Sequence, residues 1–158
     1  MSRERLAYAA CAWALAFAAL GFYWAAGGTA LLDTIGGEIE RRTRARDPDL
    51  VAVGWATNGL KVIAAVLALA LVRPFGERLP RRAIAGLLAI GGGLLVLYET
   101  AELVQHLLMA VGVIDRGGLD DTAVYGHLLL WDPWWILGGV LFALAGWRSR
   151  RVRAPARP

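Results

Sequence analysis

The chain has 158 residues, 58% of them apolar and 19% charged, with a formal net charge of +4 at pH 7. This balance excludes a disordered chain and departs from an ordinary soluble domain, which is about half apolar with about a quarter of its residues charged. A nucleic-acid partner is excluded too, because the basic residues, nearly all Arg, sit at the ends of apolar runs, and a single cysteine, Cys11, rules out an intramolecular disulfide or a Cys–Cys redox relay.

The apolar residues gather in four runs, at 6–32, 50–72, 83–114 and 122–147. A bilayer core of about 30 Å takes about 20 helical residues, and every run reaches that length. A soluble bundle would carry a polar residue at every second or third position, which the first run lacks over more than twenty residues. The expected fold is an all-α integral membrane four-helix bundle, one domain over 1–158. Its helices are predicted at about 6–32, 48–72, 82–113 and 122–147, with a basic cytoplasmic tail over 148–158. Eleven basic residues flank one side of these helices (Arg3, Arg5, the 73–82 loop and the tail) and five the other. The positive-inside rule then places both termini in the cytoplasm of a multi-pass plasma-membrane protein whose first partner is the lipid bilayer.

The first helix follows Arg3 and Arg5 and is longer than the roughly 7–15-residue core of a signal peptide, so it is expected to be retained. It meets the outer interface at Tyr23 and Trp24, which suit an aromatic belt. The following loop contains an amphipathic string over 35–46, the candidate for a short surface helix. Asp47-Pro48 supplies a capping residue before a proline at the first helical position, the expected start of the second helix, and Arg73-Pro74 ends it. The third helix, begun by Pro80-Arg81-Arg82, is too long for the bilayer if unbroken, so its outer end must project or bend. In the fourth, Pro133 removes a backbone hydrogen bond to Leu129 and clashes with that turn. Asp132-Pro133 therefore marks either a kink or the true helix start.

Glu99, Glu102 and His106 share an arc of about 60° on the third helix. Ionisable groups inside a membrane are costly, and their default interpretation is functional. Asn58 and Lys61, three apart, share a face of the second helix, and Trp131 and Asp132 adjoin the break in the fourth. These groups lie at similar depth, between the midplane and the outer surface, and an ion pair from Lys61 to Glu99 or Glu102 is expected to neutralise both partners. His106 and His127 lie nearest the outer interface, where solvation alone accounts for a histidine.

Three functions compete for this cluster. It can line an outward-biased pocket, built from Tyr23, Trp24, Asn58, Lys61, Glu99, Glu102, His106, Trp131 and Asp132, that binds a small molecule or lipid or handles protons. It can be a polar clamp that only fixes helix packing, as in a structural or accessory subunit with a membrane protein partner or a second copy of itself. It can carry acid–base chemistry, as in a membrane-embedded isomerase-like enzyme. No cofactor is expected. The Glu-x-x-Glu-x-x-x-His spacing puts Glu99, Glu102 and His106 on one face as metal ligands, with His127 as a fourth, but a nearby Lys61 opposes a cation, and no metal is expected either.

Two strings, Phe22-Tyr23-Trp24-Ala25-Ala26-Gly27-Gly28-Thr29 and Leu130-Trp131-Asp132-Pro133-Trp134-Trp135-Ile136-Leu137-Gly138-Gly139, carry a resemblance. With them the chain resembles a family of small bacterial four-pass membrane proteins of unknown function. The resemblance implies a fold and a location and supplies no catalytic residues.

Overall fold

The computed structural model describes residues 1–150. The described part is helical, with α1 at Arg3–Ala25, α2 at Gly37–Arg44, α3 at Pro48–Ala70, α4 at Arg81–Ala110, α5 at Asp121–Gly126 and α6 at Asp132–Arg150. Most of the basic tail, residues 151–158, lies outside the described residues. Helices α1, α3 and α4 and the run from Asp121 to Arg150 are each long and apolar enough to cross a membrane. The protein is therefore a multi-pass membrane bundle.

Several boundaries follow directly from local chemistry. Asp47 caps α3, its carboxylate accepting from the amides of Asp49 and Leu50 at 3.1 Å, with Pro48 as the first helical residue. The amphipathic string forms α2. The first helix is shorter than expected and ends at Ala25 rather than near residue 32. Gly27 has a φ of +107°, and a side chain on Gly28 would collide with the Tyr23 ring, so the chain turns there. In contrast, α4 runs unbroken for 30 residues, about 45 Å.

The interruption expected at Asp132-Pro133 takes the form of a π-helical turn over His127–Trp131. The amide of Asp132 donates to the His127 carbonyl, five residues back. Widening the turn absorbs the proline ring without ending the helix. The helix begins at Asp121, capped by Asp120, rather than at Asp132.

The spanning helices are arranged in the order α3, α1, α6, α4. The closest packing is between α4 and α6, where the backbones touch: a Cβ on Gly92 would lie 2.4 Å from the Ala143 nitrogen, and one on Gly146 2.4 Å from the Ala85 oxygen. Against α1, Gly138 leaves room for the Trp13 ring, whose indole N–H donates to the Trp134 carbonyl at 2.9 Å. Trp13, Phe17, Trp131, Trp135 and Phe142 form a continuous aromatic core. Helices α3 and α4 barely touch each other.

Candidate functional site

The gap between α3 and α4 is a cavity of about 490 Å³. Its α3 wall depends on a glycine on the neighbouring helix. Gly21 of α1 leaves the space that the Asn58 side chain fills, since a Cβ there would fall 2.1 Å from Asn58 Oδ1. Asn58 is buried, and its amide donates to the Gly54 carbonyl at 2.7 Å while its Oδ1 accepts from Lys61 Nζ at 2.8 Å. The ammonium also lies 4.2 Å from the centroid of the Phe17 ring and 5.5 Å from that of Trp135. A cation over an aromatic face in a partly desolvated site is stabilised by about 1–2 kcal/mol.

The opposite wall is acidic and imidazole-rich. Glu99 and His106 are buried on α4, with Glu102 half-buried beside them. His106 Nδ1 lies 2.8 Å from Asp132 Oδ2, a buried bond joining α4 to the start of α6. The His127 ring stacks on His106 with centroids 4.2 Å apart. Its Nδ1 is 3.6 Å from Asp132 Oδ1, and its Nε2 is 3.1 Å from the Ile35 carbonyl. Because that carbonyl only accepts, His127 carries a proton on Nε2. Trp131 completes this side, its indole N–H donating to Thr34 Oγ1 at 3.0 Å.

Trp24, Asn58, Lys61, Glu99, Glu102, His106, Trp131 and Asp132 all line the cavity. Tyr23 does not. It points out of the bundle, folded over Gly28, with its hydroxyl accepting from the amides of Thr29 and Ala30. The expected ion pair from Lys61 to Glu99 or Glu102 is also absent. The ammonium is held on its own wall by Asn58 and Phe17, because α3 and α4 are separated at this level. Nor is His106 a solvated interfacial residue, being 5% exposed, and His127 is half-buried.

Sequence reasoning missed His127 and Trp135 as lining residues. Trp135 was detectable, being four residues from Trp131 on the same face. His127 was equally detectable, four residues before Trp131, but regular helical geometry turns it away from Asp132 and so hid their pairing.

The fold and these walls define the class: a four-helix multi-pass membrane protein with ionisable side chains gathered between its helices. The chain belongs to the family described as protein of unknown function (DUF3995), which it matches over residues 14–142. No curated protein and no solved structure matches it.

Proposed function

We propose that this protein resides in the cell membrane with both termini cytoplasmic, and that its cavity, biased toward the outer side, binds a small amphipathic molecule or lipid. One observation carries this reading. Lys61 on α3 and Glu99 and Glu102 on α4 line one cavity without pairing across it. Polar groups that served only to fix packing would meet, since interhelical polar contacts stabilise a bundle by closing on each other. Ionisable groups that line a 490 Å³ space and make no bond across it can turn to a ligand instead, Lys61 by exchanging its bond to Asn58. Lys61 suits an anionic group, and the carboxylates suit a cationic or hydrogen-bonding one. The aromatic floor of Phe17, Trp131 and Trp135 suits an apolar body.

A second reading is favoured by the His106–Asp132 bond, which ties α4 to α6 and needs no ligand. Under it, the cluster only sets helix packing, as in an accessory subunit. Native mass spectrometry of the purified protein separates the two. Ligand binding predicts a retained small-molecule or lipid adduct that weakens about tenfold, or about 1.4 kcal/mol, in Lys61→Met and in Glu99→Gln, while both variants keep their melting temperatures. A bare chain, with both variants melting well below the wild type, overturns it in favour of the packing role.

A further inference from the structure

We propose that His106, His127 and Asp132 form a binding site for a first-row divalent transition metal ion, of which zinc is the reference case. One donor atom from each residue lies within 4.8 Å of the other two. The proposal goes beyond the amphipathic ligand and does not rest on it, although the two sites share a wall.

The π-helical turn brings these donors together. In a regular α-helix, residues five apart point about 140° away from each other. In the π turn over His127–Trp131 the hydrogen bond joins positions five apart, so His127 stacks beneath Asp132 and both face His106 of α4. Such single-turn insertions recur at functional sites.

The hydrogen bonding of His127 provides a second, independent indication. With its proton on Nε2 and donated to the Ile35 carbonyl, a neutral His127 turns the Nδ1 lone pair toward Asp132 Oδ1 at 3.6 Å. Two acceptors then face each other inside an apolar bundle, and a positive centre between them satisfies both, a proton on Nδ1 in the metal-free protein and a metal ion in its place on loading. A ring N–H held by a backbone carbonyl is the usual support of a metal-ligating histidine. The spacing also fits, since two ligands each about 2.1 Å from a tetrahedral ion are about 3.4 Å apart. At His106 the ion replaces the proton shared with Asp132 Oδ2, which leaves to solvent. Imidazole lone pairs lie in the ring plane, so loading splays the two rings, which now lie 17° from parallel.

Two imidazoles and one carboxylate suit zinc or a neighbouring first-row ion, and three protein ligands leave a position open toward the cavity. The Lys61 ammonium, which counts against a cation in the sequence, is engaged by Asn58 and the Phe17 ring on the far wall.

The test uses the untagged full chain in detergent, stripped with a chelator, loaded with zinc alone and desalted. Elemental analysis is expected to find about one equivalent of zinc, and at least tenfold less in His127→Ala. The chain contains two histidines, so imidazole NMR of the wild type reads the site without any variant, and both ring signals are expected to shift on loading. Less than about a tenth of an equivalent in the wild type, full retention in folded His127→Ala, or unmoved histidine signals at saturating zinc would each overturn the proposal.

Discussion

The two faces of α4 are built on opposite principles. Toward α6 it presents Gly92 and small neighbours, and the backbones of the two helices come into contact. Toward α3 it presents Glu99 and Glu102, and the helices stand apart around a cavity whose far end His106 lines while bonding Asp132 of α6. Lipid is as apolar as a leucine side chain, so helices associate in a membrane by close packing and hydrogen bonds rather than by burying apolar surface. The glycine seam supplies the packing, which frees the α3 side from having to hold the bundle together.

The strongest way to break this contrast is to place the same methyl group on two successive residues. A Cβ on Gly92 would sit 2.4 Å from the Ala143 nitrogen, whereas one on Gly91 meets nothing within 4 Å. Gly92→Ala is expected to destabilise the bundle by about 1–3 kcal/mol through overpacking. Gly91→Ala is expected to stabilise it by about 0.5–1 kcal/mol through reduced backbone entropy. Reversible unfolding in mixed micelles reads both, and equal effects of the same sign would mean that the seam is not the tight contact described here.

Gly21 sharpens the comparison from the α3 side, with a smaller effect. In Gly21→Ala the new Cβ falls on the Asn58 amide, which is the flexible end of a side chain and can move. Moving it breaks the bonds to Gly54 and Lys61, for a stability cost of about 1 kcal/mol. Adduct retention in native mass spectrometry should fall about tenfold because Lys61 loses its anchor. Unchanged adduct retention with Asn58 displaced would detach Lys61 from the ligand.

Much of this organisation was legible in the sequence because it depends on local rules. Asp47-Pro48 is a cap and a first-turn proline wherever it occurs, and Asn58 with Lys61 must share a face at helical spacing. Glu99, Glu102 and His106 fell on one stripe for the same reason. What escaped depended on nonlocal packing or on a departure from 100° per residue. The partner of Lys61 was set by how far α4 stands from α3, which no pattern within either helix encodes. Tyr23 left the cavity because Gly27 and Gly28 fold the chain back over its ring. His127 joined Asp132 only through the π turn, which a regular helical wheel cannot represent. The same Trp-x-x-Gly-Gly spacing occurs at Trp24 and at Trp135, and its two copies differ in role. After Trp24 it ends a helix, and after Trp135 it admits the Trp13 ring and the α4 backbone.

The smallest predicted effect concerns what holds α3 in place of α4. The α2 connection supplies two ties: Arg46 donates to the Ala25 carbonyl at 3.0 Å, and Arg42 bonds both carboxylate oxygens of Asp47 at 3.0 and 3.1 Å. The Arg42 hydrogen bond, followed by the bond from the Leu50 amide, holds the Asp47 carboxyl below its usual value of 3.8. A depressed carboxylate contributes stability that is complete above the unfolded value and is lost as pH falls through the lower folded one. The α3 N-terminus should therefore stay capped down to about the ordinary aspartate range and loosen only below it. Carboxyl-carbon NMR of Asp47 should give a midpoint under 3.8, with the Asp49 and Leu50 amide signals moving in step. Asp47→Asn should remove that titration while leaving the α4–α6 seam unchanged. A midpoint at or above the ordinary value would mean that Arg42 does not hold the cap, leaving the Arg46 tie as the anchor of this end of α3.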